Sequence, residues 1–170
     1  MPNGLALAKL ADNVINRFGN CEMIEDIIKK LSDPAEGAMI VRPASSKDLA
    51  QCQKDMAEIG LHPIPQGYID FLREVNGFAW NGIEFYSTDN VTDPESNYTL
   101  IDIVTANEDF ADYNEELASC VLLGRADDDL YVYNTDNEKY EVLDFTGHDV
   151  MEEHDAFDAL FESVVEPRML

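Results

Sequence analysis

The sequence predicts an α+β fold with a mostly antiparallel sheet flanked by helices. Apolar residues recur at helical spacing from residue 7 to residue 75, alternate at strand spacing in three segments between residues 120 and 145, and return to helical spacing near the C-terminal end. Helices first, strands later and a helix last is the order of an α+β protein, not of an alternating parallel fold. With 170 residues and 45% hydrophobic composition, the chain fits one domain, residues 1–170.

The N-terminal extension, residues 1–45, is predicted to contain two amphipathic helices separated at Gly19-Asn20. Their apolar positions are Leu7, Leu10, Val14 and Phe18, then Ile24, Ile27, Ile28 and Leu31. A short apolar run follows at residues 38–41, flanked by Pro34 and Pro43. It fits either an edge strand or a packed connector, and the flanking breakers favour the connector.

Two further helices are predicted before residue 77. The first begins with an N-cap at Ser45 or Ser46, ends at Gly60 as a left-handed residue, and buries Leu49, Cys52, Met56 and Ile59. An extended link, His62-Pro63-Ile64-Pro65, leads to the second helix. That helix ends at Asn76-Gly77 and has its apolar positions at Tyr68, Phe71, Leu72 and Val75.

The only tryptophan, Trp80, is predicted to lie in a short connector between this helix and the strand "GIEFYS". In that strand Ile83 and Phe85 face one side, and Glu84 and Tyr86 face the other. A tryptophan at such a junction usually closes the end of the core, which is the favoured interpretation. An exposed Trp80 would instead be a candidate contact for a partner.

The second half of the chain is predicted to hold a polar loop, "VTDPESN", and helical structure from Leu100 to Leu117 with a break between Asp109 and Asn114. An antiparallel meander follows, formed by "CVLLGRA", "LYVYN" and "KYEVLDF". The apolar parity changes within the third strand, which predicts a bulge or burial on both faces. The last helix buries Phe157, Leu160, Phe161 and Val164.

Charge is concentrated in the second half of the chain. The formal net charge is −24; residues 1–83 hold 11 acidic and 8 basic residues (net −3), and residues 84–170 hold 24 acidic and 3 basic residues (net −21). Such a field repels nucleic acids and anionic membranes and attracts a basic protein. A solvated surface that only maintains solubility is the other interpretation. The N-terminus lacks a signal-peptide pattern and no apolar run spans a membrane, which predicts a cytoplasmic protein.

The sequence predicts no catalytic, cofactor or metal site. Cys21, Cys52 and Cys120 form no close pair, and His62, His148 and His154 are predicted at the surface. The acidic segments 127–129 and 134–138 lack the glycine and distal glutamate of a calcium-binding loop, and no glycine-rich phosphate loop is present. A hydrolase that uses surface carboxylates is kept as a further alternative.

The order of these features resembles the SUKH superfamily, across residues 46–164. In that superfamily a Pro-x-x-Tyr-x-x-Phe-Leu helix ends in Asn-Gly, and later strands carry a glycine, an acidic turn and an aromatic pair. The Trp80-Asn81-Gly82 approach to the strand is most similar to the bacterial branch typified by YrhA. The matching residues, whose role the resemblance implies to be mostly structural, are Pro65, Tyr68, Phe71, Leu72, Asn76, Gly77, Gly124, Asp128, Tyr131, Val132 and Tyr140.

The resemblance implies a non-enzymatic protein-binding domain. The superfamily includes bacterial immunity proteins that neutralise polymorphic toxins and yeast regulators of cell-wall synthesis. An acidic face with aromatic anchors would compete with a polyanion for the basic groove of a nuclease toxin. The candidate contacts are Trp80, Glu84, Tyr86, Asp127, Asp128 and Asp129. The alternative is a regulatory adaptor without a toxin partner. Homo-oligomerisation, and whether residues 1–45 cover or extend the binding face, are left open.

Overall fold

The structure, a computed structural model, describes residues 23–169. The predicted helix with Leu7, Leu10, Val14 and Phe18 lies outside these residues, as does Cys21. The described helices are α1 (residues 23–31), α2 (Ser46–Glu58), α3 (Gln66–Glu74), α4 (Ile103–Tyr113) and α5 (Phe157–Val165). The strands are β1 (Met39–Ile40), β2 (Phe78–Trp80), β3 (Ile83–Phe85), β4 (Val91–Thr92), β5 (Thr99–Leu100), β6 (Cys120–Arg125), β7 (Asp129–Asn134), β8 (Lys139–Asp144) and β9 (Val150–His154).

Seven strands form one sheet in the order β1-β2-β3-β6-β7-β8-β9, and β4 and β5 form a separate hairpin. Every neighbouring pair in the sheet is antiparallel. The predicted α+β class with a mostly antiparallel sheet flanked by helices is therefore confirmed. Within residues 23–169, no helix is long and apolar enough to cross a membrane.

One face of the sheet packs against α3 and α5 through aromatic rings. The ring centroid of Phe85 lies 6.0 Å from that of Phe71, 5.5 Å from that of Phe157 and 5.4 Å from that of Phe161. All four side chains are buried. Because such tilted and edge-on aromatic contacts add to the burial of apolar area, this cluster is the centre of the core.

Gly124 lies between Phe85 and Tyr131 and allows their rings to stack across three strands. It pairs with Phe85 of β3 on one side and with Tyr131 of β7 on the other, and those two rings stack with centroids 5.1 Å apart. A Cβ at Gly124 would lie 2.2 Å from the backbone oxygen of Glu84. Only glycine allows β3 to approach β6 this closely.

The opposite face of the sheet is partly covered by α4. Glu84, Arg125 and Leu130 are cross-strand neighbours on that face, since directly opposed residues point the same way. Asn107 of α4 joins the helix to β6: its amide nitrogen donates to Leu122 O at 2.8 Å, and its oxygen accepts from Leu122 N at 2.8 Å. α4 is thereby fixed over β6, while the Arg125 side chain on the same face is 53% exposed.

The structure confirms the predicted α2, α3, meander and α5. Ser45 caps α2 in a reciprocal capping box with Asp48, and Gly60 has a φ of 76°. The predicted burial of Ile59 was wrong, because Ile59 follows the last residue of α2 and is 44% exposed. In β8 both expectations hold, because four consecutive residues are buried and the register with β9 shifts between Val142 and Leu143.

Two predictions near Trp80 were wrong. The connector, favoured for residues 38–41, is wrong, and the alternative of an edge strand is confirmed, because Met39 and Ile40 form β1, which pairs with β2 at the sheet edge. Trp80 is the last residue of β2 and not part of a connector. Asn81 and Gly82, with φ of 47° and 80°, form the two-residue turn to β3. Positive φ at both turn residues matches the right-handed twist of a hairpin, which explains the Asn-Gly pair.

Two more segments differ from their predictions. The predicted polar loop is the connection within the β4–β5 hairpin, so Leu100 belongs to a strand and not to a helix. Helix α4 begins after the N-cap Asp102. Residues 150–154, for which no strand was predicted, form β9. Both elements are short and largely exposed, and their sequences therefore lack the apolar alternation that marks a half-buried strand.

The residues that match the SUKH helix pattern lie at structural positions. The Tyr68 hydroxyl donates to Tyr86 O at 2.5 Å and lies 3.1 Å from Leu123 O. Asn76 accepts from Thr88 N at 2.9 Å and donates to Thr88 Oγ1 at 2.7 Å. The helix end is thus joined to the chain after β3. The buried matching residues are Pro65, Tyr68, Phe71, Leu72, Asn76, Gly77, Gly124, Tyr131, Val132 and Tyr140.

Candidate protein-binding site

An ion pair lies on the sheet face that α4 partly covers. Arg125 Nε donates to Glu84 Oε1 at 2.6 Å, and the Tyr98 hydroxyl, from the β4–β5 hairpin, donates to Glu84 Oε2. The Glu84 side chain is only 13% exposed, whereas that of Arg125 is 53% exposed. Burial, and then the hydrogen bond to Glu84, raises the pKa of Tyr98, so this hydroxyl stays protonated. Glu84 holds Arg125 in place and offers little free charge to a partner.

A first groove, here the Trp80 groove, lies on one side of this pair and has a volume of about 460 Å³. Its lining includes Trp80, Glu84, Tyr98, Asp127, Arg125 and Phe145. Trp80 contributes only an edge, because it is 9% exposed and its Nε1 donates to Glu36 O at 3.0 Å. The favoured interpretation of Trp80 as a residue of the core therefore agrees with its position.

A second groove, here the Tyr113 groove, lies between α4 and the sheet and has a volume of about 370 Å³. Its apolar lining includes Tyr86, Phe110, Tyr113, Leu122 and Leu130, and Arg125 and Phe145 line it as well as the Trp80 groove. The two grooves are therefore adjacent, and Arg125 and Phe145 stand between them.

Three exposed aromatic side chains belong to these grooves. Tyr98 is 39% exposed, Phe145 46% and Tyr113 84%. Burial of such rings against a partner is a common source of interface affinity, particularly next to an arginine. The exposed aromatic residues of the grooves are therefore these three, and not the predicted Trp80 and Tyr86. Tyr86 is 2% exposed and closed off beneath the groove, so its prediction as a surface contact is corrected.

A contact between two loops lies beside the Tyr113 groove. His148 Nδ1 lies 2.8 Å from Glu116 Oε1, which joins the β8–β9 loop to the short turn after α4. His148 has a φ of 58°, which lies in the left-handed region. His148 thus lines the Tyr113 groove on the side of the β8–β9 loop.

The acidic turn Asp127–Asp129 lies beside the Trp80 groove. Asp127 lines the groove and Asp128 is exposed, whereas Asp129 is half-buried. Burial raises the pKa of Asp129, and the nearby carboxylates of Asp128, Glu152 and Asp144 raise it further, while Arg168 opposes them. Like charges are therefore crowded at this end of the sheet, where a cationic partner would relieve their repulsion.

The sequence prediction found part of this site. It placed Glu84, Trp80 and the acidic turn together, and the structure brings Trp80, Glu84 and Asp127 into one groove. It missed four residues: Tyr98, Tyr113, Arg125 and Phe145. One signal was available, because Arg125 is one of only three basic residues after residue 83. The aromatic residues come from three separate elements, and only the topology brings them together.

The other reactive side chains do not form a nucleophilic site within the described residues. Burial raises the pKa of Cys52 to about 12 and that of Cys120 to about 11, so both thiols are protonated at neutral pH. Ser163 Oγ and Glu152 Oε2 lie 3.2 Å and 2.9 Å from His154, but both contact the same atom, Nε2. A catalytic triad needs the two ring nitrogens to bind the nucleophile and the carboxylate separately.

The remaining predicted histidine, His62, is exposed and contacts Ala118 O through Nε2 at 3.0 Å. Among residues 23–169, no group of three or more His, Cys, Asp or Glu side chains is arranged to hold a metal ion. What distinguishes the surface is therefore the pair of grooves, with exposed aromatic residues set in a strongly acidic half of the chain.

Comparison with protein-family models found no family that matches the chain, and a search of curated proteins found no match.

Proposed function

We propose that this protein is a non-enzymatic, cytoplasmic binding domain that neutralises a basic partner protein by covering its cationic surface. The observation that carries the proposal is the pair of adjacent grooves around Arg125, lined by exposed Tyr98, Tyr113 and Phe145 and bordered by Asp127. Neither nucleic acid nor an anionic membrane is the expected partner, because both repel such a surface.

Charge supports a basic partner. Residues 84–170, which supply most of both grooves, have a net charge of −21. A field of this size accelerates the encounter with a cationic protein and disfavours partners of like charge. Because Glu84 is already paired with Arg125, exposed carboxylates such as Asp127 and Asp128 would provide most of the attraction.

The aromatic residues support a specific contact in addition to attraction by charge. The stems of lysine and arginine side chains pack well on aromatic rings, while their charged ends reach surrounding carboxylates. Tyr113 and Phe145 offer such rings, and Asp109 of α4 lines the same groove. A partner with several basic side chains could therefore fill both grooves at once.

The resemblance to SUKH proteins supports a toxin, such as a nuclease, as this partner. An acidic surface that occupies the substrate groove of a nuclease excludes the nucleic acid by charge and by volume. The immunity role predicts that the protein protects a cell that produces the toxin.

The test is co-expression of the chain with the products of neighbouring genes, followed by recovery of the complex and a growth assay. We expect a basic toxin to be recovered and growth to be restored. Tyr113→Ala and Phe145→Ala are each expected to weaken the complex about tenfold, because each removes a ring from the contact. Titration calorimetry of the purified partners measures the change.

The matched control is Ile59→Ala, which removes an exposed apolar side chain directly after α2 and away from both grooves. It should bind like the parent protein. Equal affinity for all three variants would contradict the assignment of the grooves. Recovery of a partner that is not toxic would favour the regulatory adaptor in place of the immunity role.

A further inference from the structure

Strand β9 ends the seven-stranded sheet on the side away from β1. It pairs with β8 from Tyr140↔His154 to Leu143↔Val150, and no other strand of residues 23–169 pairs with it. The outer side of such a strand presents unpaired backbone N–H and C=O groups, which can bind another extended chain.

Exposed apolar side chains lie at the start of this edge. Val150 is 55% exposed and Met151 is 64% exposed. Because the register passes from Val142↔Glu152 to Leu143↔Val150, Met151 has no cross-strand partner on β8. Edge strands are protected against unwanted pairing by charged side chains and bulges as well as by lysine or proline. β9 lacks lysine and proline, but it carries Glu152, Glu153 and the bulge at Met151. Its outer side is unpaired within residues 23–169, and its charged protection is negative, which disfavours a copy of the same strand and not a strand of positive charge.

Charge determines which strand could bind there. Asp149, Glu153 and Asp155 surround β9, and only Asp155 has a cationic partner, Lys139, among the ion pairs of the described residues. Glu152 is turned to His154 at 2.9 Å. A second copy of β9 in antiparallel register would bring these carboxylates against their own copies. A strand with lysine or arginine side chains would instead be attracted.

The start of β9 follows directly on residues of the Tyr113 groove. Phe145 and His148, which line that groove, lie in the loop that joins β8 to β9. Val150, the first residue of β9, comes two residues after His148 in the sequence.

We infer that β9 binds an extended, lysine- or arginine-bearing segment of a protein partner as an additional strand of the sheet. This inference rests on the proposed function and specifies how the basic partner binds. Main-chain hydrogen bonds would supply affinity, and Val150, Met151 and the surrounding carboxylates would select alternating apolar and basic side chains.

The test uses the full chain and a short peptide of alternating lysine and valine, followed by NMR spectra of the backbone amides. We expect shifts of the amides of residues 150–154 and their slower hydrogen exchange in the bound state. A peptide of the same sequence, N-methylated on alternate residues, keeps the charge but loses main-chain donors. It should bind at least about tenfold more weakly.

Protein variants separate the edge from the general charge. Met151→Lys places a cation on the exposed edge and should weaken peptide binding about tenfold. Ile59→Lys makes the same exchange at an exposed apolar residue of another surface and should leave binding unchanged. Both positions are solvent-accessible, so neither variant is expected to disturb the core.

The outcomes distinguish this inference from the proposed function. Equal binding of the N-methylated peptide, or shifts confined to residues outside β9, would overturn strand addition while leaving attraction of basic partners intact. Absence of peptide binding, or concentration-dependent shifts of the β9 amides without peptide, would also overturn it. Failure of the proposed function would appear in the co-expression test, with strand pairing to the peptide unaffected.

Discussion

Replacement of Gly124 by alanine is expected to destabilise the fold by about 3 kcal/mol, at the upper end of the usual cost of overpacking. The new Cβ would lie 2.2 Å from Glu84 O and 2.9 Å from Phe85 Cδ1. The first of these atoms belongs to the backbone of β3, which cannot move without breaking its pairing with β6. Thermal and denaturant unfolding of the purified variant measure the loss.

Gly147→Ala is the matched control for this change. Its Cβ would lie 3.2 Å from Asp144 Oδ2 and 3.3 Å from Asp149 Oδ2, which are side-chain and not backbone atoms, so that a shift of a few tenths of an ångström relieves both contacts. The control is expected to unfold within about 1 kcal/mol of the parent. If Gly124→Ala unfolds at the same temperature as Gly147→Ala, the close approach of β3 to β6 is incorrect.

Removal of the Tyr68 hydroxyl is expected to cost about 1–3 kcal/mol of stability, because Tyr68→Phe leaves the buried carbonyl of Tyr86 without its hydroxyl donor. Tyr131→Phe removes the same group from a side chain that is equally buried. The Tyr131 hydroxyl, however, has no hydrogen-bond partner among the described residues. Its loss should be neutral or slightly stabilising, since no donor or acceptor is left unpaired.

Unfolding in urea at neutral pH measures both tyrosine variants against the parent. The comparison isolates the hydrogen bond, because both changes delete one oxygen from a fully buried ring. A Tyr68→Phe protein as stable as Tyr131→Phe would contradict the role of Tyr68 as the link between α3 and strands β3 and β6.

The elements predicted correctly from the sequence bury one clear face. Helices α2, α3 and α5 and the meander repeat their apolar residues at 3.6 or 2 positions, and burial against the core follows directly from that pattern. Strands β1, β2 and β9 have two to five residues. Such short strands form only where a neighbouring strand offers unpaired backbone groups. The apolar pattern of the segment itself does not show whether that neighbour is present.

The candidate site illustrates the same limit. The acidic turn and Glu84 could be predicted from charge and alternation. Burial of Tyr86 could not, because it depends on helix α4, whose residues lie around the same groove only in the folded chain. Tyr98, Tyr113 and Phe145 are far apart in the sequence, and the hairpin, the helix end and the strand end that carry them meet only in the folded chain.

The most direct test of the account is the affinity of the co-expressed partner measured as ionic strength rises from about 0.1 M to about 1 M. Over this range the distance at which exposed charges act falls from about 10 Å to about 3 Å. An acidic surface that binds a basic protein predicts a slower association rate and an affinity that falls at least about tenfold. An unchanged affinity would contradict recognition by charge.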